Sequence, residues 1–397
     1  MARTYGGRMI SRRGLLSMLS SVPILGASRY GLANTLDEKK LLVLFCRGGW
    51  DSTMVFDPHF SSSQVDSPQG ADWAEHHGIM YASSSNRPAV DTFFSNFGSR
   101  TVVVNGIAVG SISHSKCEQL LFSGVRGEEA TDLPTMIASQ SNALLPHVVL
   151  SGPRLPGAHA SVVTPLDDLF SSLLQPQSST PLQQYLEEES QGESRLEREY
   201  LSSLKRRQQL SDYAGLIYIS EQPTVLEQVD LAVSLFSRGL SRCATIEMDL
   251  PQRVGWDSHI DNEGNQSQCF QHLFSRLSTI VEKIERSTDD NGVPLLQNTI
   301  IAVLSEMGRT PKNNQGMGKD HWPYTSAMFI SDAFEGGRII GKSNEQLVGL
   351  PLDFATGQFE EQGRVLAANN LLAGIVESFG VDSAPFFPNI PVFRGLI

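Results

Sequence analysis

Short apolar runs rich in β-branched residues recur along the chain, separated by helical periodicity or by glycine-led polar loops. Lys40-Leu-Leu-Val-Leu-Phe-Cys46 reads as a first buried strand, broken by Arg47-Gly48-Gly49. Arg100-Thr-Val-Val-Val-Asn105 and His147-Val-Val-Leu-Ser151 read as the second and third, and residues 245–249, 299–304 and 326–330 as three more. Strands alternating with helices are the pattern of a parallel sheet covered on both faces. Amphipathic helices are expected between several of these runs. In the clearest, Phe270, Leu273, Phe274, Leu277, Ile280, Val281 and Ile284 fall at helical spacing. The expected fold is therefore α/β, a mostly parallel sheet flanked by helices on both faces.

Two stretches break this rhythm. Residues 173–209 are rich in Gln, Ser, Glu and Arg, with Glu187-Glu-Glu189 and Lys205-Arg-Arg207, and read as a polar helical insert, either a solvated surface helix or a lid. Ser61-Ser-Ser63 and Ser83-Ser-Ser85 read as polar loops. At the N-terminus, Arg3, Arg8, Arg12 and Arg13 precede the mildly apolar run 14–25, and no acidic residue occurs before Asp37. Ser11-Arg12-Arg13-Gly14-Leu15-Leu16 is a twin-arginine arrangement. Residues 1–33 are thus expected to be a twin-arginine signal peptide cleaved near Ala33, with an α/β domain from 38 to 397. The apolar run is too short and too diluted for a stable membrane span. A periplasmic or secreted location follows, with the twin-arginine export machinery as a partner.

The chain has 397 residues, 40% of them hydrophobic, enough for one large core or two medium ones. Its net charge of −12 argues against a general nucleic-acid binder. A local basic site can still take an anionic substrate inside an acidic envelope. Cys46, Cys117, Cys243 and Cys269 are far apart and show no metal-knuckle or redox spacing; Cys46 and Cys243 are expected in the core.

Chemistry-bearing residues gather just past the expected strand ends, where open α/β sheets bind ligands. Arg47-Gly48-Gly49-Trp50-Asp51-Ser52 follows the first strand, and Asp51 is either a metal ligand or a cap. Gly255-Trp256-Asp257-Ser258-His259 echoes it; Asp257 and His259 can offer a hard oxygen and an imidazole nitrogen to one ion, a set that suits zinc or manganese better than calcium. Around Ser111, Ser113, His114 and Ser115, a strand-to-helix junction offers a nucleophilic hydroxyl, a helix cap, or an imidazole for a ligand or acid–base role. Glu306 and Arg309 end another strand, and a polar loop can fold Asp320 and His321 back toward them. Arg309 is expected either to grip an anion or to form a structural pair with Glu306.

Taken in order, the twin arginines, Arg47-Gly-Gly-Trp-Asp51, Gly255-Trp-Asp-Ser-His259, Ser305-Glu-Met-Gly-Arg309 and Lys319-Asp-His-Trp-Pro323 resemble the exported bacterial family called domain of unknown function 1501. The resemblance runs from about residue 39 almost to the C-terminus and includes residues 366–380 as a closing helix. That family is similar to the alkaline phosphatase and sulfatase superfamily, whose parallel sheet carries metal ligands on strand-end loops. The resemblance implies Asp51, Asp257, His259, Glu306 and His321 as metal ligands, with a nucleophile around Ser111 to Ser115; Asp320, beside His321, joins the expected metal set. Met307 departs from it, standing where phosphatases place a histidine, and Cys117 lacks the sulfatase Cys-x-Pro-x-Arg context. These departures imply one metal instead of two, or none.

The expected function is that of an exported metal-dependent hydrolase-like protein acting on phosphate or sulfate esters, either anionic small molecules or glycan esters. A divalent ion (zinc, manganese or calcium) is the expected cofactor, with Ser113, His114, Ser115 and Arg309 as catalytic residues. The alternative is a non-catalytic exported binding protein that keeps the fold around a degenerate metal site.

Overall fold

A computed structural model describes residues 37–127, 129–157, 159, 162–163, 209, 213 and 222–396. The expected signal peptide and all but one residue of the polar insert lie outside them. Among the described residues no helix is long and apolar enough to cross a membrane.

The centre of the molecule is an eight-stranded sheet in the order β12-β4-β11-β8-β1-β7-β5-β6. Its strands are β1 (Lys40–Phe45), β4 (Thr101–Ala108), β5 (His147–Val149), β6 (Val162–Val163), β7 (Cys243–Glu247), β8 (Thr299–Leu304), β11 (Tyr324–Ile330) and β12 (Arg338–Ile340). Every neighbouring pair is parallel except the two made by β11, which runs antiparallel to β4 and β8. The expected mostly parallel sheet is present, and the six apolar runs lie within or overlap six of its strands.

The central runs of β1 and β8 are buried throughout because both faces of the sheet are covered. In β1, Leu42 and Leu44 enter one core while Leu41, Val43 and Phe45 enter the other. The first core is closed by α1 (Pro88–Phe97), α4 (Val225–Ser237) and α5 (Asn262–Glu285), which contribute Phe93, Phe94, Val229, Leu235, Phe270 and Phe274. The second is closed by α2 (His114–Ser123), α3 (Leu133–Ala138) and α6 (Ala368–Ser378), through Phe122, Met136, Ile137, Leu371 and Leu372. Each such large apolar side chain contributes about 1.5–3 kcal/mol by leaving water. All seven apolar positions predicted for α5 are buried. Its first turn is capped by Asp261, whose carboxylate accepts from the Gly264 N–H.

Two expectations are corrected. Ser83 and Ser84 are not loop residues: they end β3 (Ile79–Ser84), which pairs with β2 (Ala71–His76) in a separate ribbon. The ribbon turns at His77-Gly78 with φ of 53° and 82°. Positive φ at both central residues is what a tight two-residue hairpin turn demands. Because β2 is largely solvated, no apolar run marks it. The second strand also runs beyond Asn105 to Ala108; Asn105 and Gly106 together oppose Ser326, a bulge that Gly106 accommodates with φ of 73°.

The strands bring the site loops together. Phe45 lies level with Leu304 on one side and Glu247 on the other, so β1, β7 and β8 end side by side. β4 ends at the same edge, and β11, running the other way, starts there. Residues 46–51, 109–113, 248–261 and 305–323 therefore emerge at one edge of the sheet, the last folded back by the antiparallel pair β9 (Gly308–Arg309) and β10 (His321–Trp322).

Candidate metal centre

The two Gly-Trp-Asp-Ser loops are anchored from below by their tryptophans. Trp50 and Trp256 are buried and meet edge to face with ring centres 6.1 Å apart, and Phe270 of α5 packs on both. Gly48 and Gly49 let the first loop press against its neighbours. A Cβ on Gly48 would sit 2.9 Å from the Asp257 backbone nitrogen, and one on Gly49 would sit 2.7 Å from the Met307 Cγ.

Above these anchors three imidazoles converge on Asp257. His321 Nε2 and His259 Nε2 each lie 3.2 Å from Asp257 Oδ1, and His114 Nε2 lies 3.4 Å from Oδ2. The His259 and His321 Nε2 atoms are 2.9 Å apart. In each ring the other nitrogen is held from behind: His114 Nδ1 by Glu306 Oε1 at 2.7 Å, His259 Nδ1 by Asp320 Oδ1 at 3.0 Å, and His321 Nδ1 by the Ile112 carbonyl at 2.8 Å. A carbonyl and ionised carboxylates only accept, so each Nδ1 carries the proton. A neutral ring then presents an Nε2 lone pair forward. Three lone pairs and a carboxylate facing one another require positive charge between them, supplied by a metal ion or by further protonation of the rings.

The donor set passes the chemical test for a metal. Ligand atoms of His114, Asp257 and His321 all lie within 4.8 Å of one another. His114 Nε2 is buried yet has no hydrogen-bond partner among the described residues, an orphan that a cation would satisfy. Imidazole nitrogens with one carboxylate suit a zinc-class ion. Acceptors behind each ring are what metal-ligating histidines ordinarily have.

The electrostatics agree. His114 is raised above the usual imidazole range, chiefly by its hydrogen bond to Glu306, with the Glu306 and Asp257 charges adding to it against burial. Burial pushes Asp257 up, but the hydrogen bond and charge of Arg309, with the bond from His321, outweigh it and leave the carboxylate below its usual range.

Other expected site residues take different places. Asp51 is fully buried and stands apart from the cluster. Its Oδ1 accepts from Thr53 N and Thr53 Oγ1, and its Oδ2 from Asn262 Nδ2 at 2.8 Å and Lys319 Nζ at 2.8 Å. Four donors fill a carboxylate, so Asp51 has no capacity for an ion. Glu306 accepts twice from the Gly48 N–H as well as from His114, which places it behind the cluster. Asp320 likewise stands behind His259 instead of facing the centre.

Arg309 is a brace and not an exposed anion clamp. It is 1% exposed, and it donates to the carbonyls of Gly48, Gly49 and Lys319 and, at 2.8 Å, to Asp257 Oδ1. Its acidic partner is Asp257, not Glu306. Met307 is fully buried against Val109 and Cys117 beneath the loops. Ser113 and Ser115 flank His114 on the exposed first turn of α2, and the Ser113 side chain does not cap the helix.

Reading the motifs one by one does not reveal the partners. Lys319 signals itself only as a cation beside two recognised residues, while Asn262 and Gln266 look like ordinary polar residues in the first two turns of α5. Gln266 accepts from the Asp51 N–H and donates to the Trp256 carbonyl, tying the two echoing loops together. The Ile112 carbonyl carries no side-chain signal at all.

Residues 202–389 match the family model described as protein of unknown function (DUF1501). The match bears out the family resemblance over the span that holds the Asp257, Glu306 and His321 motifs. A comparison with curated proteins finds no match. Among solved structures, the chain is similar to the lipoteichoic acid synthase LtaP from Listeria monocytogenes, at 8% identity and a TM-score of 0.40, over 94% of this chain and 79% of that one. It is similar to the zinc complex of the C-terminal periplasmic domain of EcEptC from Escherichia coli, at 9% identity and a TM-score of 0.44, over 92% and 89% of the two chains. It is also similar to the PsFucS1 sulfatase from Pseudoalteromonas sp., at 9% identity and a TM-score of 0.35, over 78% and 66%.

Proposed function

We propose that this chain is an exported, metal-dependent hydrolase-like protein acting on phosphate or sulfate esters, borne on small molecules or glycans. The observation that carries the reading is the convergence of three Nδ1-anchored imidazoles on Asp257 at the carboxyl edge of the sheet. His114, His321 and Asp257 would hold one divalent ion, with His259 beside them against Asp257 and His321. When bound, such an ion supplies Lewis acidity toward an ester oxygen.

The chain's own residues do the rest. Asp257 offsets the positive charge at the centre, and Arg309 keeps its carboxylate ionised and oriented. The acceptors behind the rings hold the histidines in place without rearrangement, which is the preorganisation catalysis needs. The hydroxyls of Ser113 and Ser115 sit beside His114 as the nucleophile candidates. Export by the twin-arginine route belongs to the same reading and rests on Arg12 and Arg13.

Burial of Arg309 favours a second reading, a binding protein that holds a metal but does not turn over esters. Two measurements separate them. Protein purified without chelator should carry about one tightly held divalent ion per chain, and generic phosphate or sulfate esters should be turned over by wild type but not by Asp257→Ala. Metal without turnover supports the binding protein. No metal, with a melting temperature unmoved by zinc or manganese, removes both.

A further inference from the structure

Glu306 lies two residues past the end of the central strand β8, where the family resemblance implies a metal ligand, yet its contacts describe another task. Its two oxygens take the Gly48 N–H at 2.8 and 3.0 Å, and Oε1 also takes His114 Nδ1 at 2.7 Å. The side chain is 1% exposed, behind the ring of His114. The neighbouring position is filled by Met307, whose thioether points down into a pocket with Val109 and Cys117. Cys117 lies one helical turn after His114 on α2, so the methionine seats the helix whose first residue reaches back over the site.

We propose that Glu306 is a positioning residue and not a ligand: it fixes His114 as the Nδ1–H tautomer and aims Nε2 into the centre, so that His114 supplies the nitrogen that Met307 does not. This rests on the metal-centre reading above. The histidine therefore comes from the β4–α2 junction instead of from the end of β8. One carboxylate sets both the His114 ring and the shape of the Gly48 loop. Putting histidine at 307 would bury an imidazole in an apolar pocket and restore no ligand.

The test is a double-mutant cycle in full-length protein, with zinc as the probe and a chromophoric chelator as competitor. Glu306→Gln should weaken zinc binding roughly 10–100-fold in the wild-type background, the usual cost of losing a partner behind a ligand. In the His114→Ala background the same change should weaken it no further. If Glu306 is itself a ligand, Glu306→Gln weakens zinc in both backgrounds, and the proposal is overturned. Nitrogen-15 NMR of histidine-labelled, metal-free protein gives an independent readout. At a pH above its raised pKa, wild-type His114 should show a single Nδ1–H tautomer, and Glu306→Gln should lose it. An Nε2–H tautomer in wild type overturns the proposal even if Glu306→Gln does not fold. Failure of the wild-type protein to take zinc would sink the metal reading alone, because the spectrum still decides what Glu306 does to His114.

Discussion

His259 and His321 face each other through their Nε2 atoms at 2.9 Å, while Asp320 and the Ile112 carbonyl hold their Nδ1 protons behind. Two lone pairs at that distance need a proton or a metal ion between them, and a metal ion is the occupant this reading assigns. Zinc should therefore raise the melting temperature, by the equivalent of about 2.7 kcal/mol at a hundredfold excess over its Kd. Calcium, which prefers oxygen ligands, should not. A zinc effect that persists in a His259→Ala/His321→Ala protein would remove the pair from the centre.

Asp257 is touched by all three imidazoles and by Arg309. Asp257→Asn keeps the shape but loses the charge. It should lower zinc affinity by more than about 100-fold, since losing only a partner behind a ligand costs 10–100-fold. Chelator competition checks this, and a loss below tenfold would place the ion elsewhere.

The Lys319–Asp51 ion pair is 2.8 Å long, with both side chains at most 1% exposed. Lys319→Met should destabilise the fold by about 3–5 kcal/mol, because Asp51 is left buried without its counter-charge. Adding Asp51→Asn should recover part of that loss. Urea denaturation gives both numbers; additive losses in the double variant would mean the two charges do not depend on each other.

Gly49 has φ of 82°, and a Cβ there would meet Met307 Cγ at 2.7 Å and Arg309 Nη2 at 3.2 Å. Gly49→Ala should cost about 1–2 kcal/mol from backbone strain alone, with the clash in addition. It should also weaken zinc binding by shifting Arg309 away from Asp257. A variant with wild-type stability and zinc affinity would show that the loop has room to move.

His147 is fully buried, bonded to Thr135 Oγ1 at 2.8 Å and Thr245 Oγ1 at 2.9 Å, with Asp132 3.8 Å away. Burial holds it below the usual value of 6.5, against the opposing charge of Asp132. As pH falls through about 6.5 the unfolded chain takes a proton first, so stability drops, by up to about 1.4 kcal/mol per pH unit, until the folded form is protonated as well. In His147→Gln the fall in melting temperature between about pH 7.5 and about pH 5.5 should be shallower. An equal slope in both proteins would rule out His147 as a source.

Much of the fold was legible because a strand covered on both faces has to be apolar at consecutive positions. Residues 40–45 and 299–304 show this in full, and α5 shows its buried stripe at helical spacing. The β2–β3 ribbon was not legible. Its strands are partly solvated, and its turn depends on His77 accepting a positive φ, which residue type alone does not announce.

The site was legible as a set of loops but not as a set of roles. Glu306, Asp320 and Arg309 were recognisable as chemistry at a strand end, yet hydrogen bonds from Gly48, His114 and His259, and from Arg309 to three carbonyls, decide which way each one faces. The serines beside His114 stayed ambiguous for the same reason.

The two Gly-Trp-Asp-Ser loops divide what sequence determines from what tertiary structure decides. The tetrapeptide, placed after an apolar strand, is enough to put a buried tryptophan and an aspartate at the sheet's carboxyl edge in both cases. It cannot distinguish the two aspartates. Asp51 turns inward because Asn262, distant by 211 positions, and Lys319 reach it with buried donors. Asp257 turns outward because Arg309 and three imidazoles meet it at the surface. Local pattern determines where a carboxylate is delivered, whereas its charge state and its task follow from partners that only folding brings within bonding distance.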